Sequence, residues 1–187
     1  MKAQFDIEKL IERGTIDNEL DFERAMIAER KLRLMSGENV QFKTLRKKLR
    51  DILIKYEKEH WSDVNMISDS QLKASDKAEQ TAEEERVFIE KRKSIIRKKL
   101  KALDLTQEEL GYILGHKSKT HMSELMNGIR PFTLPDLIAI SKLLKADIKD
   151  LVPPFLSEEK TVKIRTALLE INKKPGLIKK LMAAACI

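Results

Sequence analysis

Between residues 118 and 127 the chain gathers Lys119, Thr120, His121, Ser123, Glu124 and Asn127, a concentration of mostly short side chains that donate or accept hydrogen bonds. At 100° per residue, Met122, Leu125 and Met126 fall on one helical face. Thr120, Glu124 and Asn127 then point the opposite way, with His121 and Ser123 on the flanks and Lys119 near the entry. A helix that only packed would not need such an outer face, whereas base edges and phosphates call for one. Catalytic and metal chemistry has less to stand on. His116 and His121 lie five apart across a turn, with no Cys or further His nearby to complete a zinc shell. There is no Gly-rich phosphate loop, no nucleophile elbow and no placeable Cys–His pair. Glu83, Glu84 and Glu85 sit in a Lys-rich helical context that suits a solvated face. These residues predict no enzyme, no metal and no cofactor.

The elements that must hold this face in place are punctuated clearly. Leu105-Thr106-Gln107-Glu108-Glu109-Leu110 reads as a helix start: Thr106 accepts from the amide of Glu109, Glu109 reaches back to the amide of Thr106, and Leu105 and Leu110 flank the box. Gly115 supplies the positive backbone angle that stops this helix after Ile113 and Leu114. Gly111 lies in its middle, where glycine costs about 1 kcal/mol against alanine, so the space above it is needed by a crossing helix. That second helix opens at Ser118 and ends at Asn127-Gly128. A turn through Ile129, Arg130, Pro131 and Phe132 leads to Thr133, which caps a helix bearing Leu137, Ile138, Ile140, Leu143 and Leu144; Asp147 caps one last turn ending near Leu151.

The ordered set LTQEELGYILG, SKTHMSELMNGIR and TLPDLIAISKLLKADIKDLV resembles the Cro and C1 type of phage-repressor helix-turn-helix domain, the XRE family, over about sixty residues. The resemblance implies double-stranded operator DNA as partner. It places base reading on Lys119, Thr120, Ser123 and Glu124, and DNA-backbone contacts on Gln107, Lys117, Asn127 and Arg130. Thr106, Gly111, Gly115, Met122, Leu125 and Gly128 become the structural positions of the motif. Two features depart from the family pattern. The turn Gly115-His116-Lys117-Ser118 is one residue longer, which shifts the recognition helix register by up to one residue, and Glu124 is an acid that either accepts from a cytosine amino group or points elsewhere.

The remainder of the 187 residues divides around this domain. The net charge of +7 is uneven, with 16 basic and 16 acidic residues up to Gln80 and 21 against 14 from Thr81 onward. A basic surplus confined to one part suits a phosphate-binding surface, although Lys-rich helices are also commonly just solvated. Leu20, Ala25, Met26, Leu32 and Met35 mark a first helix broken at Ser36-Gly37; Phe42, Leu45, Leu49, Ile52, Leu53 and Tyr56 mark a second, and the two pair as a hairpin. The polar stretch after it reads as a linker, partly helical, with Val64, Met66, Ile67 and Leu72 its few apolar residues. Apolar periodicity resumes at Val87 and Phe88 and continues through Ile95, Ile96, Leu100 and Leu103. Pro153-Pro154 closes that domain, Ser157 opens a helix with Val162, Ile164, Leu168 and Ile171, and Pro175-Gly176 precedes an apolar tail. The expected fold is all-α: an interaction region at 1–64, a linker at 65–85, a five-helix Cro/C1-type domain at 86–156 and a helical extension at 157–187. No apolar run is long enough to span a bilayer, Met1 to Leu10 lacks a signal core, and the single cysteine, Cys186, has no disulfide partner, which together predict a cytoplasmic protein.

The first half carries a narrower resemblance. DFERAMIAERKLRLM followed by LRKKLRDILIKYEKEHW, ending in Tyr56, Glu57 and His60, is similar to the HigA-type antitoxins of toxin-antitoxin pairs, as is the order of hairpin before DNA-binding domain. That resemblance implies a protein that neutralises a HigB/RelE-like ribonuclease toxin through its first half and, as a homodimer, represses its own operon. Dimerisation has a physical reason too, since one short recognition helix reads few base pairs and two can span half-sites a helical turn apart. Leu168, Leu177, Leu181 and Met182 offer a dimer surface, or else cover their own domain's core. The alternative is a free-standing repressor whose first half senses a ligand or only dimerises.

Overall fold

The computed structural model describes residues 5–37, 39–62, 67–156 and 158–171, with the backbone alone at 158, 159 and 171. Among these residues every regular element is helical: α1 (Ile7–Arg13), α2 (Glu19–Met35), α3 (Val40–His60), α4 (Asp69–Ala102), α5 (Gln107–Ile113), α6 (Lys119–Asn127), α7 (Leu134–Leu144), a 3₁₀ turn (Ile148–Asp150) and α8 (Glu158–Ile171). None of them is long and apolar enough to cross a membrane. The chain up to Pro153 is one compact unit and the part from Pro154 a second.

In the first unit α2 and α3 pair as the expected hairpin. Phe22, Ala25, Ala28 and Leu32 of α2 meet Phe42, Leu49, Leu53 and Tyr56 of α3 in one core, with Leu45 and Ile52 half-buried beside them. The hairpin's open end is closed by aromatic stacking: the Tyr56 ring lies 4.9 Å from Phe22 and 4.1 Å from His60, and its hydroxyl donates to Glu19 at 3.1 Å. Burial and the nearby Glu19 carboxylate push that phenol well above its ordinary range.

Two elements differ from the sequence reading. α1 is a further helix, capped by Asp6, which accepts from the amide of Glu8 at 3.1 Å, and ended by Gly14 at φ 72°; it places Ile7 and Leu10 in the hairpin core. The segment expected as a partly helical linker is helical throughout from Asp69, because α4 runs unbroken for 34 residues and its late half is the helix that precedes the helix-turn-helix. Its early half packs on α2 through Ala78 and Ala82, and Glu85 there accepts from Nε of Arg24 at 2.7 Å. Small side chains permit that close approach, so apolar bulk is a poor guide to this helix. From Asp69 onward the expected linker is therefore continuous helix.

The late half of α4 supplies Ile96 and Leu100 to a second core, with Leu110, Met122, Leu125, Met126, Phe132, Leu137, Ile140, Leu144 and Leu151. The expected fifth helix of this domain is the short 3₁₀ turn, capped by Asp147. Arg92 fastens its end: the guanidinium is buried 5.2 Å from the Phe132 ring and donates to the Leu151 carbonyl at 3.4 Å, and desolvation lowers its pKa to about 10. In the second unit, α8 leaves Val162 and Leu169 exposed. The expectations for Ser157, Pro175-Gly176, Leu177 to Ile187 with Cys186, and Val64 and Met66 lie outside the described residues.

Candidate nucleic-acid interface

The helix-turn-helix is built by local chemistry at each joint. The Thr106–Glu109 capping box forms in both directions, with the Thr106 amide donating to Glu109 at 2.7 Å and the Glu109 amide to Thr106 at 3.1 Å. That hydrogen bonding holds the Glu109 carboxyl below its ordinary range. Gly111 is buried where α6 crosses: a β-carbon there would stand 3.3 Å from both Cβ and Cγ of Met122. The longer turn is pinned at both ends. Gly115 takes φ 83°, the His116 amide donates to the Gly111 carbonyl at 2.8 Å, and the His116 ring sits 3.4 Å from Asp136 of the α7 capping box. Ser118 then caps α6 by accepting from the His121 amide at 3.2 Å.

This frame buries Met122, Leu125 and Met126 and turns the first turn of α6 outward. Lys119 is open to solvent, its side chain 80 % exposed and paired with exposed Glu108. Such a surface pair contributes little and exchanges readily for a phosphate or a base. Thr120 and Ser123 are half-buried along the same side, Gln107 is half-buried at the start of α5, and Lys117 is exposed in the turn. His116 and His121 rings meet edge to face at 4.9 Å; among the described residues no three metal-ligating side chains converge.

Three expected contact residues are directed elsewhere. Glu124 is only 1 % exposed and lies 2.9 Å from Nε of Arg130, so it does not face a ligand; burial nonetheless pushes its carboxyl above the ordinary range, against the pull of Arg130. The helical wheel put it outward because the second helical layer that covers that side comes from residues far away in the chain. Arg130 is shared between Glu124 and Glu8 of α1, so its guanidinium is already paired within the protein. Asn127 is held likewise: its side-chain oxygen accepts from Lys93 at 2.6 Å and its carbonyl from Lys31 at 3.0 Å.

Glu90 organises that last clamp, standing 3.2 Å from Lys31 and 3.6 Å from Lys93. Burial raises its pKa, but the two ammonium groups outweigh this and hold the carboxyl below 4.5. Because the folded pKa lies below the unfolded one, the stabilisation is present at neutral pH and is lost as pH falls from about 4.5 through the folded value. Glu90→Gln is expected to flatten the acid limb of a thermal-stability profile between neutrality and acid, and an unchanged limb would remove Glu90 from the clamp. Sequence reading missed Lys31, Glu90 and Lys93, because the tie runs from α2 to an i,i+3 pair on α4 and no local motif announces it.

Residues 96–151 match the family model described as helix-turn-helix, a segment that runs from within α4 to the 3₁₀ turn and contains every motif position above. No curated relative and no solved structure matches the chain. Over this segment the chain is similar to helix-turn-helix domains of the Cro/C1 type, which as a class bind DNA and regulate transcription.

Proposed function

We propose that the protein is a HigA-type antitoxin that neutralises a HigB/RelE-like ribonuclease through its first half and, as a homodimer, represses its own operon in the cytoplasm. The observation that carries this reading is the outward first turn of α6, with Lys119, Thr120 and Ser123 free of the core, in a domain fused to a helical hairpin of the antitoxin-like sequence. In this reading Lys119 and Thr120 read base edges with Ser123 beside them, while Gln107 and Lys117 hold phosphates. Residues 1–64 take the toxin, and 157–187 contribute to the dimer surface.

One observation favours the free-standing repressor instead. Tyr56 and His60, which carry the likeness to the antitoxins, stack on each other, and Tyr56 also stacks on Phe22, so they serve the hairpin itself. Co-expression separates the two readings. A small ribonuclease-like reading frame adjacent to this one should arrest growth alone, be rescued by this chain and co-purify with it. Absence of both rescue and co-purification contradicts the antitoxin reading and leaves the repressor.

A further inference from the structure

The C-terminal end of α6 is tied to the first helices by four contacts of different chemistry. The Ile129 side chain is fully buried, and it sits in the core of α1, α2 and α3, not in that of the helix-turn-helix. The Ile7 amide donates to the Ile129 carbonyl at 3.4 Å. Lys31 of α2 donates to the Asn127 carbonyl, placing a cation at the negative end of the α6 dipole. Glu8 of α1 pairs with Nη2 of Arg130, whose Nε faces Glu124. Gly128 sits in the midst of these, at φ 72°, with Ile89 of α4 2.8 Å from where a β-carbon would be.

The Glu8 contact is the one that packing alone does not require. Glu124 already pairs with Arg130 from within α6, whereas Glu8, its side chain 28 % exposed, reaches the same guanidinium from α1. We infer that Glu8 is a positioning residue for DNA recognition: through Arg130 it fixes the pose of α6, so the N-terminal helices, and not the helix-turn-helix alone, set the register of the reading face. A nine-residue helix is about 13 Å long, so a tilt of roughly 5° displaces one end by about 1 Å. That is enough to take a hydrogen bond out of range. This inference rests on α6 being the DNA-reading helix.

The test uses the full chain with the variants Glu8→Gln, Glu8→Ala and, as a control on the same helix, Glu12→Gln. Each is titrated by fluorescence anisotropy with a duplex from upstream of its own reading frame and with a scrambled duplex, well below the melting temperature. The expected result is a loss of about tenfold in affinity for the upstream duplex in both Glu8 variants, with scrambled binding, salt slope and Glu12→Gln unchanged. Lys31→Gln, which severs the tie to Asn127, should lose discrimination in the same direction and serves if a Glu8 variant does not fold. Unchanged discrimination in the Glu8 and Lys31 variants overturns the inference. So does tighter binding of Glu8→Gln to both duplexes with a steeper salt slope, which would make Glu8 a mask over a phosphate-binding arginine. Failure of the unaltered protein to discriminate at all would instead remove the DNA-reading role of α6, and the inference with it.

Discussion

Replacing Lys119 and Thr120 together with alanine is expected to lower the preference for the operator over unrelated DNA by about a hundredfold while leaving the fold intact. Both residues stand in the first turn of α6, and neither side chain is part of either core. Each good contact to a base edge contributes about 1–3 kcal/mol of discrimination, so the loss of two removes most of what a short helix supplies. Lys117→Ala and Gln107→Ala act differently, because a phosphate contact carries no sequence information; they should weaken binding to all duplexes alike. Competition titrations against operator and scrambled duplexes read the difference. Equal losses of specific and nonspecific binding in the Lys119/Thr120 variant would place the recognition surface elsewhere.

Ile129→Ala is expected to cost about 2–5 kcal/mol, the range for truncating a fully buried aliphatic side chain when its surroundings cannot collapse. The position is unusual because Ile129 immediately follows the α6 cap yet fills the core of α1, α2 and α3. Its loss should therefore loosen both layers at once. Urea unfolding followed by far-UV circular dichroism should show one transition shifted to lower denaturant with its slope retained. A second, earlier transition, or a loss below about 1 kcal/mol, would mean that the N-terminal helices and the helix-turn-helix are energetically separate.

Local chemistry explains what could be read directly from the chain. Thr106, Gly111, Gly115, Ser118 and Gly128 each act within a few residues, through a capping bond, a positive backbone angle or a close crossing, and each does in the structure what its type and spacing predict. The hairpin was legible for the same reason, since Phe42, Leu49, Leu53 and Tyr56 repeat at helical intervals.

What escaped reading is long-range or small. The ties from Ile7, Glu8 and Lys31 to residues 127–130 join positions about a hundred residues apart, and no periodicity encodes them. They bear on Glu124 because a helical wheel gives directions around an axis but does not say which of them another layer will cover, and on Asn127 and Arg130 because the family resemblance that implies their DNA contacts says nothing of partners outside the matched segment. The early half of α4 was hidden by its own packing, because Ala78 and Ala82 bury little apolar area and their polar neighbours look like linker. α1 left a readable trace in its Asp6 cap and its Gly14 stop, on either side of Ile7 and Leu10.

The central claim, that the first turn of α6 reads a particular DNA sequence, meets its most direct test in one ratio. Anisotropy titrations of the full chain, at about 50 and 200 mM salt, would compare a duplex from upstream of its own reading frame with a scrambled duplex of the same composition. The account predicts at least about a thousandfold tighter binding to the upstream duplex, with both affinities falling as salt rises. Equal affinity for the two duplexes would contradict it.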